Sequence, residues 1–211
     1  MARPVKHDLA TREALLDAAE QLLAQGGPDA VAVRAVADAI DSSTRAVYAV
    51  FGSKAALNEA LAARGYGYLA DLVEAAPLTD DPAADLVAAG VLGFREFAIN
   101  RPQLFRITFA QPNEQIFSKP AVKPELQRAT AALGLRVQRF LDEPGMQQRP
   151  AVDIAFMFHS ICQGLAANEL SRLPPPIGAR FWGSTRGMDP VAAWLTALTA
   201  FTRGLAIGDD H

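Results

Sequence analysis

An all-helical fold is predicted by three observations. Apolar residues recur at i, i+3, i+4 and i+7 along most of the chain. Ala and Leu are abundant, whereas β-branched runs of strand length are scarce. Pro, Gly and Asp-Pro breaks cut the pattern into about nine segments of helical length. At 211 residues, half of them hydrophobic, the chain is long enough to bury a substantial core, as one domain or two small ones. The single cysteine, Cys162, excludes an intrachain disulfide framework and suits a reducing cytoplasm. No signal-peptide pattern and no bilayer-length apolar run is present, so a soluble, cytoplasmic protein is expected.

The first seven residues read as a short, partly basic arm, either frayed or reaching a nucleic-acid backbone or minor groove through Arg3 or Lys6. A first helix is expected from about Asp8 or Leu9 to Gln25, with Leu15, Leu16, Ala19, Leu22 and Leu23 as its stripe. Gly26-Gly27-Pro28 stops it. Two short helices follow. In the first, Val33, Val36, Ala37 and Ile40 share a face. Asp41, Ser42 and Ser43 then interrupt the pattern, Asp because it tolerates a left-handed turn and Ser because it can cap the next helix. The second repeats the spacing with Val47, Val50 and Phe51. Two such helices joined by a tight polar turn make a helix-turn-helix.

The outward face of the second short helix carries Thr44, Arg45, Tyr48 and Ala49. A helix enters the major groove of DNA only with small or hydrogen-bonding side chains outward. Arg45 can pair bidentately with guanine or hold a phosphate, and Ser43, Thr44 and Tyr48 suit phosphate oxygens or a thymine methyl. Lys54 stands at the start of the next helix, where an ammonium and free N–H groups can share one phosphate, and Arg34 is a further phosphate candidate. Net charge argues the other way. The chain is formally −3, and residues 1 to 54 hold six Lys or Arg against seven Asp or Glu. The placement of the cations favours DNA provided that Glu13, Asp17 and Glu20 on the first helix face elsewhere.

Ser53 is the expected cap of a long helix ending before Pro77. Gly65 and Gly67 within it make a soft spot or let another helix come close. Asp81-Pro82 opens a helix running to Asn100, and Arg101-Pro102 breaks it. A short helix follows over Gln103 to Ala110, then a loop over Gln111 to Lys123 and a helix from about Pro124 to Leu141. The most apolar helix, about Ala151 to Leu170, is hydrophobic on more than one side and needs cover on several faces. After an irregular Leu173 to Met188 stretch containing Arg180 and Trp182, a final helix runs from Asp189-Pro190 to about Ile207. Ile161, Leu165, Trp194, Leu198 and Phe201 on the last two helices are candidate contacts for a homodimer. Phe94, Phe97, Phe105, Phe109 and Met157, with His159 and Gln163 as polar groups, are candidate lining for a small-molecule site, or are simply core. A catalytic reading finds little support. Cys162 and His159 lie three apart without a third group to orient the base, and no phosphate loop, metal-ligand cluster or cofactor motif is present. A helical protein-interaction adaptor is the stronger alternative to a DNA binder.

The run V-x-x-V-A-D-A-x-x-x-S-x-x-A-V-Y-x-V-F-G-S-K from Val33 to Lys54 resembles the DNA-binding signature of the TetR family of one-component transcriptional regulators. Val36-Ala37, Tyr48, Phe51 and Lys54 match at the family spacing. The chain departs at Asp41-Ser42, where the family commonly has glycine then valine, and at Ala32, where it favours a Thr or Ser cap. The Arg101-Pro102-x-Leu104-Phe105-Arg106 run, with Gln163-Gly164-Leu165 and Glu169-Leu170, is similar to a C-terminal subtype named for a Trp-His-Gly pattern. Gln163 stands in the histidine place and Phe158 in the tryptophan place. The resemblance implies a helix-turn-helix domain over 1–54, joined by the long helix at about 53–75 to a ligand-binding and dimerising bundle over 55–211. It further implies a repressor that binds a palindromic operator as a dimer and is released by a small-molecule effector.

Overall fold

The computed structural model describes residues 5–109, 119–144, 146, 149–171 and 189–206. Among them every regular element is helical. In chain order these are α1 (Val5–Gly26), a 3-10 turn (Pro28–Ala30), α2 (Val33–Asp38), α3 (Thr44–Phe51) and α4 (Lys54–Ala75). Then come α5 (Pro82–Ala88), a π-helical turn (Ala89–Arg95), α6 (Glu96–Asn100), α7 (Pro102–Phe109), α8 (Lys123–Leu141), α9 (Ala151–Ser171) and α10 (Pro190–Ala206). With Pro82–Asn100 counted as one interrupted helix, the described residues hold nine. No helix among them is long and apolar enough to cross a membrane. The chain divides into two compact units, Met1–Tyr68 with Arg101–Arg128, and Leu69–Asn100 with Ala129–His211. Residues of α4 and α8 belong to both.

In the first unit, α1 packs on α2, α3 and α7. Leu15, Leu16, Ala19 and Leu23 of α1 are buried, as are Val36 and Ala37 of α2 and Val47 and Phe51 of α3. Helix α1 already begins at Val5, so the expected seven-residue arm is shorter; Val5, Lys6 and His7 include no helix breaker. Asp41 adopts φ 50°, the left-handed turn that glycine usually supplies. The Ser43 hydroxyl accepts a hydrogen bond from the Ala46 N–H at 3.2 Å and so caps α3, whereas α2 starts at Ala32 with no side-chain cap. Gly52, at φ 78°, ends α3, and the Ser53 hydroxyl caps α4 through the Ala56 N–H at 3.0 Å.

Helix α4 is continuous through its glycines, which bring other elements close. A Cβ on Gly65 would collide with the side chain of Thr108 in α7, and one on Gly67 would sit 2.9 Å from Glu125 Oε2. Thr108 cannot give way easily. It is 1% exposed, and its hydroxyl donates to the Leu104 carbonyl at 2.7 Å.

In the second unit, α5, the π turn, α9 and α10 pack together around Phe94, Phe97, Ile154, Phe158, Cys162, Trp194 and Leu198. The regular helix expected over Pro82–Asn100 is interrupted, because one turn widens where Gly90 is pressed against Leu198 and Phe158. Helix α9 buries a single row, Ile154, Phe158, Cys162 and Ala166, and leaves Val152, Phe156 and Met157 exposed. Asp81 caps α5 through the Ala84 N–H at 2.9 Å. Beside it Asp85, 2% exposed, accepts the Thr79 N–H on both oxygens at 2.9 Å, the Thr79 hydroxyl at 2.8 Å, and a bond from Arg139. Burial opposes its charge, but the bonds from Thr79 and Arg139 outweigh burial and hold the carboxyl below its ordinary range.

Two outcomes test this packing. Gly65→Ala lowers stability in denaturant titration by about 1–3 kcal/mol, because the added methyl meets Thr108; a gain of about 1 kcal/mol, the helix-propensity effect alone, would mean that α4 has no close neighbour there. Asp85→Asn costs about 1–3 kcal/mol at neutral pH. Its native pKa lies below the unfolded value near ~4, so this contribution is complete above that value and lost as pH falls below it. Wild type and variant therefore converge in stability in acid, and an equal gap at both pH values would contradict the ionic role.

Candidate nucleic-acid interface

Helix α3 is amphipathic over its eight residues. Burial of Val47 and Phe51 turns Thr44, Arg45, Tyr48 and Ala49 to solvent, with Tyr48 51% exposed. Ser43 is also exposed; its oxygen accepts the capping bond, which leaves the hydroxyl proton free to donate. Lys54, the first residue of α4, is exposed one turn beyond α3. Neither Arg45 nor Lys54 is paired with an acid among the described residues. Arg34 of α2 has only a loose ion pair, 3.8 Å to Asp38, with both side chains mostly exposed. Such a pair contributes little and yields readily to a phosphate. At the far end of α3, the Arg12 guanidinium of α1 lies 4.9 Å above the Phe51 ring.

The charge conflict read from the sequence is resolved by two arginines outside the first 54 residues. Arg64 donates to Asp17 at 2.5 Å, to Glu13 at 2.7 Å and to Glu20 at 3.2 Å, while Arg101 donates to Glu20 at 2.7 Å. Burial works against the Arg64 charge, but these bonds more than offset it and hold its pKa above the ordinary value. Three of the seven acids in that stretch are thus neutralised within the unit. Sequence reasoning missed Arg64 and Arg101, since the partners lie more than forty residues away. The available signal was the i, i+4, i+7 spacing of Glu13, Asp17 and Glu20, one face of α1.

The candidate ligand residues fall in both units. Phe105 and Phe109 belong to the first unit, with ring centroids 4.8 Å apart and Tyr66 edge-on to Phe109 at 5.8 Å. Tyr66 escaped the sequence reading. Its hydroxyl donates to the Thr108 carbonyl at 3.2 Å, and burial pushes its pKa up to about 12. Phe94, Phe97, Met157, His159 and Gln163 lie in the second unit. There the Phe94 ring stands edge-on to His159 at 5.4 Å, and Gln163 Nε2 lies 2.6 Å from His159 Nε2. Burial lowers the His159 pKa, which favours the neutral ring. Phe97 is fully buried and Met157 is exposed. Cys162 is buried and its pKa is driven upward, the opposite of an activated thiol.

Of the candidate dimer residues, Trp194 and Leu198 are covered by their own chain, and the Trp194 indole N–H donates to Glu169 at 2.9 Å. Ile161, Leu165 and Phe201 are half-buried. Large exposed apolar side chains on these two helices include Val152, Phe156 and Met157 on α9 and Leu195 on α10, with Phe156 70% exposed. Arg3 and the Leu173–Met188 stretch with Arg180 and Trp182 lie outside the described residues.

Residues 15–61 match the family model of bacterial regulatory proteins, tetR family. Comparison with curated proteins finds no match. Among solved structures, a protein with unknown function from Rhodococcus sp. RHA1 superposes with a TM-score of 0.70 at 23% identity, over 93% of this chain and 95% of that one. A TetR transcriptional regulator from Streptomyces coelicolor superposes at 0.68 and 21% identity, over 92% and 97%. A bacterial regulatory protein in the tetR family, also from Rhodococcus RHA1, does so at 0.63 and 16%, over 94% and 98%. The amino-terminal module is therefore that of the tetR family of bacterial regulatory proteins, set in a chain with the fold of TetR-family transcriptional regulators.

Proposed function

We propose that this chain is a one-component transcriptional repressor, not an enzyme, that works in the cytoplasm. It binds a palindromic operator as a homodimer and leaves it when a small-molecule effector binds. The observation that carries this reading is the exposed Thr44–Arg45–Tyr48 face of α3 above buried Val47 and Phe51, within the stretch that matches the tetR family model. Residues 1–54 form the DNA-binding domain, α4 leads out of it, and residues 55–211 bind ligand and dimerise. Arg45 reads a base edge, Ser43, Thr44 and Tyr48 clamp the backbone or a thymine methyl, and Arg34 and Lys54 hold phosphates. An adaptor without DNA binding is not favoured, because it gives no reason for the family match or for cations kept free on the reading face.

The exposed apolar groups Val152, Phe156 and Leu195 support dimerisation through α9 and α10. Ile161, Leu165 and Phe201 join at the edges, and Trp194 and Leu198 back the surface from within. Candidate effector contacts are Phe94, Phe97, Met157, His159 and Gln163 within the second unit and, separately, Phe105 and Phe109 within the first. The effector releases DNA by binding one spacing of the two reading heads better than the other. The Trp-His-Gly subtype rests on the sequence pattern alone, since the family match ends at residue 61.

Fluorescence anisotropy with operator duplexes tests the reading head. Arg45→Ala costs about 1–3 kcal/mol and relaxes one base position, whereas Lys54→Ala weakens all sequences and flattens the salt slope by about one. Unaltered affinity in both variants would contradict the reading. For the dimer, Phe156→Glu shifts the chain to monomer in sedimentation velocity at micromolar concentration; an unchanged dimer would place the interface elsewhere.

A further inference from the structure

One carboxylate joins three helices of the first unit. Glu20 of α1 accepts from Arg64 of α4 on Oε2 at 3.2 Å and from Arg101, at the start of α7, on Oε1 at 2.7 Å. The Arg101 guanidinium in turn lies 4.0 Å above the ring of Tyr68 in α4. Glu13 and Asp17, the other partners of Arg64, are about 60% exposed, so water and salt screen those pairs. Glu20 and Arg64 are each 18% exposed and keep more of their attraction. The same α1 carries the recognition helix, through its packing on α2 and α3 and through Arg12 above Phe51.

We propose that Glu20 is a positioning residue for DNA recognition, a latch that sets α1, and with it α3, against α4 and α7. The inference rests on the DNA-binding function proposed above and deepens it. With both arginines bound, α1 has one register against α4 and α7, and Arg45 and Tyr48 are presented in one orientation. A shift of α7 has to carry α1 with it or break the Glu20–Arg101 bond. Operator affinity therefore depends on a residue that touches no DNA.

The test is a double-mutant cycle on the full chain with Glu20→Gln and Arg101→Gln, read by anisotropy on an operator duplex and a random duplex. Denaturant titration confirms that each variant is folded under the binding conditions. Removing the negative charge of Glu20 should by electrostatics alone tighten binding to any duplex. The latch requires the opposite on the operator, a loss of about tenfold, with random-duplex binding unchanged or tighter. Arg101→Gln loses a similar factor, and the double variant is no weaker than the weaker single, because both remove the Glu20–Arg101 bond. Tighter operator binding by Glu20→Gln, or losses that multiply in the double variant, would overturn the latch. A second reading needs no DNA and covers any variant too unstable for the first. Spin labels on Ala49→Cys in α3 and Gln103→Cys in α7 give one narrow distance in the parent chain and a broadened distribution with Arg101→Gln added. Cys162 is buried and stays unlabelled. An unchanged narrow distance sinks the latch, whereas failure of the parent chain to bind any duplex sinks the DNA-binding proposal and leaves the labels to decide the latch.

Discussion

The burial of Val47 and Phe51 against the first helices is the constraint on which the rest of this molecule depends. An eight-residue helix is too short to hold its shape in water by itself. Helix α3 persists because one face is covered, Ser43 caps its start and Gly52 turns the chain at its end. The same three features decide what is left outside. With Val47 and Phe51 inward, a 3.6-residue period turns Thr44, Arg45 and Tyr48 outward. Chemistry suited to base edges is thus a by-product of packing.

Electrostatics then decides whether that face can approach a polyanion. A domain with about as many acids as bases is a poor candidate by its sum alone. Helix α1, however, carries Glu13, Asp17 and Glu20 on one side, and Arg64 and Arg101 reach that side from elements later in the chain. The neutralising charges come from outside the module, so the proposed DNA affinity is tied to how α4 and α7 pack on α1. Charge balance and geometry become one property.

Much of this is legible in the sequence, and the reason is locality. The helix starts follow from caps whose partners are three residues away, as with Ser43, Ser53 and Asp81. The left-handed Asp41 could be anticipated because aspartate is among the few residues that accept that conformation. What could not be read depends on contacts distant in sequence. Gly65 and Gly67 were compatible with a soft spot or a close approach until Thr108 and Glu125 were placed beside them. The widened turn at Ala89–Arg95 arises where Gly90 meets Leu198 and Phe158. Helical periodicity put Trp194 and Leu198 on an apolar stripe. It could not say that their own chain covers them while Phe156 stays open to solvent. For the same reason the aromatic residues proposed as one ligand site divide between two units.

The central claim is that a compact amino-terminal module presents α3 to the major groove, twice, in a symmetric dimer. Selection of bound duplexes from a random pool by the purified full-length chain tests it most directly. The account predicts enrichment of one inverted repeat, with half-sites about one helical turn apart or a small multiple of that, bound more weakly as salt rises. Winners without shared sequence or symmetry, or a pool left unenriched at low salt, would contradict it.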